Sequence, residues 1–455
     1  MRKTQLFPFL SPAIRCFLLI FFCFTLTSGV WLSWLYHLIT LADPRAVDLL
    51  SMGAGYLFQA LGLFLLALAE RKGLPLSLSS VYCGVVLLFA LCAVPALLSP
   101  ALSWTLVFGF LLGILIGVIA GIYLRQLSLT VDSRWRGRVF GGSYALSTVT
   151  VFLLSRIGGN SFLRSGAVLP VYLILTAICL FLSPDSRGGG VSDEKATHQE
   201  RRPLALSLPL VAATVFLLSF VKNIGFSFPS ADLMLGVDLE LSRVLYAAGL
   251  VIAGVIADRS RRYGAICSLA ALITPFIILA LSGEPISSTI FWGLDYLLFG
   301  FFSVFRILVF SDLADGSFPA ATAGFGLLFG RIGDALSIVV STLLAGHQTA
   351  LVLLAAVFFT LSVLLFFRFY QALYLQPASP VRSEEELFAH FAARFDLSAR
   401  ERGVLRLLLA ERSNAEIAQE LYVTESTVKF HVHNLLKKTG CKNRLELLSL
   451  FHLEK

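Results

Sequence analysis

From the N-terminus to about residue 370 the chain is a series of apolar runs of about twenty residues, each closed by Gly, Pro or charged residues. A run of that length crosses a ~30 Å hydrocarbon core as a helix, the form that satisfies every backbone N–H and C=O within its own segment. The pattern predicts twelve spans, near 13–40, 46–69, 77–98, 102–124, 139–157, 166–183, 204–225, 239–257, 263–281, 287–310, 318–345 and 347–370. The first run follows Arg2 and Lys3 and contains Arg15, a basic start that a secretory signal would share. It is too long for a signal core and has no small-residue cleavage site, so it is expected to stay as the first span.

After Tyr370 the pattern changes. Residues 371–396 carry Pro377, Pro380 and Glu384-Glu385-Glu386 and read as a tether with a short helix at Glu384–Phe395. Residues 397–455 show helix punctuation instead of apolar runs. Ser398 with Glu401, Ser413 with Glu416 and Asn443 with Glu446 are capping boxes, in which a small polar side chain caps the helix and a Glu three residues on reaches back to the free N–H. Thr424 opens another helix, which should end near Lys438 with Gly440 in the left-handed position. Four helices are predicted, the second and third joined only by the turn Leu421–Tyr422–Val423, a helix-turn-helix. At ~100° per residue Val428, Val432 and Leu435 face Ile417, Ala418 and Leu421, while Lys429, Phe430, His433, Asn434 and Lys437 share the outer arc. Cations, an amide and an aromatic ring are what a major-groove reader uses: Lys donates to guanine or phosphate, Asn pairs with adenine, and an apolar group touches a thymine methyl. A solvated helical bundle would share the mild positive charge of this segment but not the density of its motifs.

The stretch Leu397–Leu447 resembles the LuxR-type (GerE/FixJ-like) DNA-binding domain of bacterial transcription regulators. The resemblance rests on Leu397-Ser398-x-Arg400-Glu401, Ser413-Asn414-x-Glu416-Ile417-Ala418, Thr424-Glu425-x-Thr427-Val428-Lys429-x-His431 and Lys437-Lys438 with Asn443-Arg444. It implies that Lys429, Phe430 and His433 lie against bases and that Thr424, Thr427 and Lys437 lie near phosphates. It also implies a homodimer on a short inverted repeat of promoter DNA, with Leu445, Leu448 and Phe451 of the last helix as the dimer surface. Two residues depart from the family pattern: Glu411 stands where Gly is usual and Gly403 where Glu is usual. Both bear on local stability rather than on the recognition helix.

Composition agrees with a membrane protein, at 57% hydrophobic and only 14% charged residues. Placing the N-terminus in the cytoplasm puts Arg71–Lys72, Arg125, Arg134–Arg138, Arg187–Arg202, Arg259–Arg262 and Arg368 inside and leaves Arg45, Arg156, Arg164, Lys222 and Arg243 to the other side. An even number of spans then returns the C-terminal domain to the cytoplasm, where the DNA is. The expected location is the cytoplasmic (inner) membrane, multi-pass, with both termini inside. The seven cysteines form no CxxC pair and are expected to be free thiols.

Pro184–Pro203, with Gly188-Gly189-Gly190, divides the spans six and six. The expected organisation is 1–183 (first half), 184–203 (cytoplasmic linker), 204–370 (second half), 371–396 (tether) and 397–455 (DNA-binding domain). The fold class is all-α, a polytopic bundle of two six-helix halves followed by a four-helix helix-turn-helix domain. After the eighth span, Gly254-x-x-x-Asp258-Arg259-x-Arg261-Arg262-x-Gly264 resembles the cytoplasmic-loop signature of the major facilitator superfamily, where the loop clamps helices during alternating access. The copy after the second span is reduced to Glu70-Arg71-Lys72-Gly73, which argues against active transport.

Charges inside the spans are the remaining candidates, because each is costly unless it faces a cavity or a partner. Asp295 and Arg306, eleven apart, share a face of the tenth span; Arg331 and Asp334 are three apart in the eleventh; Lys222 and Asn223 end the seventh. They are equally readable as structural ion pairs and as the polar floor of a cavity for an anionic or hydroxylated small molecule. The chain shows no phosphate-cradling Gly loop, nucleophile–base constellation or metal-ligand spacing, so neither an enzyme nor a cofactor is expected. The sequence points to a one-component, membrane-bound transcription regulator that senses an unknown small molecule or the state of the membrane. The alternatives are a major-facilitator-type transporter with a fused regulatory DNA-binding domain, and a membrane protein whose helix-turn-helix docks protein partners.

Overall fold

A computed structural model of the chain describes residues 11–73, 78–157, 162–163, 166–184, 204–224, 239–273, 276, 285–314, 320–374 and 384–453. The central linker beyond Pro184, residues 375–383 of the tether and most of the last third of the ninth predicted span lie outside the described residues. The chain divides into two compact units, Met1–Tyr374 and Leu375–Lys455, and no strand occurs among the described residues.

In the first unit a helix stands in every predicted span: α1 Pro12–Ile39, α2 Pro44–Arg71, α3 Leu78–Leu98, α4 Leu102–Thr130, α5 Arg136–Ile157, α6 Leu169–Phe181, α7 Leu204–Lys222, α8 Leu239–Arg259, α9 Arg261–Ser268, α10 Pro285–Leu313, α11 Phe325–Leu343 and α12 Gln348–Tyr374. Local chemistry sets the ends. Pro12 and Pro44 sit in the first turn, where their missing N–H costs nothing, behind the caps Ser11 and Asp43. Among the described residues seven helices are long and apolar enough to cross a membrane. Their outward faces stay apolar, as at Leu91 (70% exposed) and Leu353 (64%). A water-facing surface would not carry so many such residues, and a lipid-facing one requires them. The chain is a membrane protein.

The halves meet along two related seams, α5 against α8 and α2 against α11. The first is a backbone contact: a Cβ built on Gly254 would come within 2.4 Å of the Gly137 carbonyl oxygen, and one on Gly141 within 2.4 Å of that of Leu250. Only glycine permits this approach.

The second unit has its own core, and it contains five helices rather than four: α13 Glu384–Arg394, α14 Ala399–Leu409, α15 Asn414–Glu420, α16 Glu425–Thr439 and α17 Arg444–Leu453. The helix expected in the tether is part of the fold, because Leu387, Phe388, Phe391 and Ala392 form an apolar stripe buried against the rest of the domain. Phe451 goes with it. Assigned from the sequence to a dimer surface, it is instead 6% exposed, with its ring 5.2 Å from that of Phe391. The capping boxes at Ser398–Glu401 and Ser413–Glu416 are complete, Thr424 accepts from the Thr427 N–H, and Gly440 ends α16 at φ 73°. At the last helix Asn443 accepts from the Glu446 N–H, but Glu446 reaches back to the N–H of Lys442, one residue further than a capping box requires.

Candidate functional site

Inside α16, Val428 and Leu435 are fully buried and Val432 partly so, packed with Ile417, Ala418 and Leu421. This locks the helix by one face and leaves the other in solvent. Phe430 is 61% exposed, a large ring that contributes nothing to the core. Lys429, His433 and Lys437 are exposed beside it, and Asn434 and Thr427 are half-buried. The Lys429 ammonium lies 3.0 Å from the Glu425 carboxylate one turn back. An exposed i,i+4 pair is worth only ~0.3–0.5 kcal/mol, so Lys429 can leave it for a base or phosphate at small cost. The Thr424 hydroxyl caps Thr427 and lies 2.8 Å from the hydroxyls of Ser426 and Thr427, a polar cluster at the positive end of the helix. The two consecutive lysines have different roles. Lys437 is exposed, whereas Lys438 donates to the Asp396 carbonyl (2.7 Å) and to Glu401 (2.8 Å). Burial opposes the charge of Glu401, yet the Lys438 ammonium and the Ser398 N–H hold its carboxyl below the usual carboxylate range.

Within the membrane unit a cavity of about 220 Å³ lies between the halves, and its lining includes Lys222, Asn223, Arg306, Arg331 and Asp334. One carboxylate organises all of them. Asp334 Oδ1 accepts from the Asn223 amide and lies 3.2 Å from Lys222 Nζ; Oδ2 lies 3.5 Å from Arg306 Nη1 and 3.7 Å from Arg331 Nη1. Arg331 stacks over Tyr56 at 4.1 Å and Lys222 over Phe299 at 4.4 Å, so aromatic faces share the cationic charge. Asp295 is buried but does not line the cavity. Arg306 turns instead to Asp334 across helices, since equal spacing along α10 fixes a shared face but not the partner found there.

At the loop end of the unit carboxylates cap helices of the opposite half. Asp258, ending α8, accepts from the first N–H groups of α5, Gly137 at 2.7 Å and Arg138 at 2.8 Å, where free donors and the helix dipole favour an anion. Arg261 holds Asp258 at 3.1 Å and Asp312 at 2.7 Å, and buried Arg136 meets Asp312 from the other half at 3.0 Å. On the second seam Glu70, ending α2, accepts from the Ala321 N–H at 2.6 Å and from Arg125 at 3.0 Å. The shortened loop after the second span therefore keeps its capping carboxylate.

The model of the bacterial regulatory proteins of the luxR family matches residues 396–451. The spore germination protein GerE of Bacillus subtilis is 42% identical over 62 residues, which are 13% of this chain and 84% of GerE. The chain belongs to the luxR family. The nitrate/nitrite response regulator NarL of Escherichia coli K12 is 44% identical over 59 residues, 13% of this chain but only 27% of NarL, so with such longer regulators the likeness is confined to one domain. Among solved structures, the E. coli fucose:proton symporter FucP aligns over 80% of this chain and 99% of its own with a TM-score of 0.55 at 14% identity. The nucleoside transporter NupG aligns over 79% and 98% with a TM-score of 0.51 at 19% identity. These matches give the membrane unit the major-facilitator fold.

Seen as a luxR-family chain on a transporter fold, two features escaped sequence reasoning. Arg136 was counted only among the inside charges and Asp312 was not singled out, although an acid just past the tenth predicted span and a basic loop after the fourth were a visible signal. The cavity tyrosines Tyr56, Tyr123, Tyr144, Tyr246 and Tyr296 had none, because aromatic residues occur throughout these spans.

Proposed function

We propose that this chain is a membrane-bound one-component transcription regulator, whose membrane unit senses a small molecule and whose luxR-family domain binds promoter DNA in the cytoplasm. The observation that carries the reading is the outer face of α16, where Lys429, Phe430, His433 and Lys437 are exposed on a helix fixed from behind, in a domain that spans most of GerE. The capped loop end of the membrane unit holds Arg125, Arg134–Arg138 and Arg259–Arg262, and by the positive-inside rule this charge supports a cytoplasmic orientation for that end. Binding as a homodimer to an inverted repeat follows the family. Leu445, 76% exposed, and half-buried Leu448 remain available on α17 for the second copy.

The test is a mobility-shift titration with residues 376–455. Lys429→Ala should cost ~1–3 kcal/mol on the specific promoter and relax specificity; Lys437→Ala should weaken all sequences alike and lower the salt slope by about one. Equal losses on specific and random DNA for both variants would remove the assignment. A second reading, a transporter with a fused regulatory domain, is favoured by the retained cap of Glu70 on Ala321. Against it, Asp334 is the one carboxylate among the described residues lining the cavity, and accumulation of substrate in proteoliposomes under a proton gradient decides between the two.

A further inference from the structure

The cavity lining carries three cations, Lys222, Arg306 and Arg331, against one carboxylate, Asp334, a formal excess of two positive charges. In a bundle surrounded by lipid such an excess is expensive, because charge removed from water needs a compensating partner close by. Asp334 does not supply enough. Its two oxygens are divided among Lys222, Asn223, Arg306 and Arg331, and the two guanidinium contacts are long, at 3.5 and 3.7 Å. Each guanidinium has five donors in a planar fork, and most of that capacity is not spent on Asp334. Arg306 is only 6% exposed, yet its Nε has no hydrogen-bond partner among the described residues, and the same holds for Nε of Arg331. These donors belong to side chains that line the cavity.

We propose that the ligand of this cavity is a small organic anion, bound best when it carries two negative charges, with its acidic group between Arg306, Arg331 and Lys222 and its apolar body against Tyr56 and Phe299. The inference rests on the sensor reading and adds the chemical class of the signal. A neutral hydroxylated ligand would leave the charge excess in place, and a cation would meet three like charges to reach one carboxylate. An anion supplies what is missing and matches the guanidinium fork, which binds carboxylate or phosphate with two parallel hydrogen bonds. Asp334 is then an internal competitor for the ligand's site, holding the cations together until the anion takes over part of their donors.

The test uses the full chain purified in detergent, with thermal unfolding followed for four probes of one skeleton: phenyl phosphate (charge about −2 in mildly alkaline buffer), benzoate, benzamide and benzylamine, against sodium chloride at equal ionic strength. The expected result is an upward shift of the midpoint of about 2 °C or more for the anions, larger for phenyl phosphate than for benzoate, and none for benzamide or benzylamine. Arg306→Gln should abolish the anion shift. Asp334→Asn should strengthen it, raising apparent anion affinity roughly tenfold as the competing charge is removed. The last result has the opposite sign from that of a site built around Asp334 as the ligand-binding group, and the wild-type charge series stands even if Arg306→Gln fails to fold. Stabilisation by benzamide or benzylamine equal to that by the anions, no shift with any probe, or loss of the anion shift in a folded Asp334→Asn protein would each overturn the proposal. Promoter binding by the 376–455 fragment is measured separately, so a regulator that ignores charge and an anion binder that ignores DNA give different outcomes.

Discussion

Phe391→Ala tests whether α13 is a structural part of the DNA-binding domain or a strand of tether that happens to lie on it. Phe391 is fully buried, with its ring 5.2 Å from that of Phe451 and 4.8 Å from that of Phe395. Truncating a buried phenylalanine costs ~3–5 kcal/mol, the lost transfer energy plus the cavity left behind. The polar contacts of α13 cannot make up for it: the Arg406–Glu385 pair is exposed on both sides and contributes at most ~1 kcal/mol. A domain of this size is stable by roughly 4–12 kcal/mol, so one ring represents about a quarter or more of the total. In urea denaturation of the 376–455 fragment, with a slope of ~1 kcal/mol per molar, the midpoint should fall by about 3 M or more. A fragment beginning at residue 397 should do no better, since it loses Leu387, Phe388 and Ala392 as well. A Phe391→Ala midpoint within about 0.5 M of wild type, or a 397–455 fragment as stable as 376–455, would return α13 to the tether.

The two departures from the family pattern should be correctable. Glu411 sits at φ 61°, and Glu411→Gly should stabilise the fragment by roughly 0.5–1 kcal/mol; Gly403 lies inside α14 with only Leu421 near its missing Cβ, at 3.9 Å, so Gly403→Ala should add about 1 kcal/mol in the same denaturation assay. The depressed carboxyl of Glu401 gives stability that is present above its unfolded value, near ~4.3, and lost as pH falls through its lower folded value. Fragment stability should therefore decline from mildly acidic pH downward, and Glu401→Gln should flatten that decline while lowering the plateau at neutral pH.

What the sequence revealed divides along physical lines. The spans were legible because a lipid environment asks only for length and apolarity, and the domain helices because their ends are written in local caps. Helix ends in the bundle were less so: α4 runs on to Thr130 and α12 to Tyr374, past the apolar runs that announced them. The role of α13 was obscured by its acidic first turn and the prolines before it, although Leu387, Phe388, Phe391 and Ala392 recur at helical spacing and could have been read as a core stripe. Pairing was the least legible. Arg331 and Asp334 meet as their three-residue spacing suggested, but Arg306 finds Asp334 rather than Asp295 because the choice lies with a neighbouring helix that spacing along one chain segment does not encode.

The charge cluster and the second seam lie on one stretch of chain. Asp334 sits in α11, and the 3-10 turn that leads into α11 includes Ala321, whose N–H is held by Glu70 of the opposite half. A ligand equally at home in two arrangements of the bundle shifts neither, and complete reversal of a population from 1:99 to 99:1 needs about 5.5 kcal/mol of differential binding. Exchange of one guanidinium contact at Asp334 supplies ~1–4 kcal/mol at 4 Å, depending on how dry the cavity is. That is short of a full reversal if the cluster acts alone. The remainder has to come from further contacts that the ligand makes in one state only, and more is needed if moving α11 also breaks the cap on Ala321 and leaves the Glu70 carboxylate with Arg125 alone. The bonds that hold the halves closed then set how strongly a bound molecule must be preferred by the other state before the unit responds.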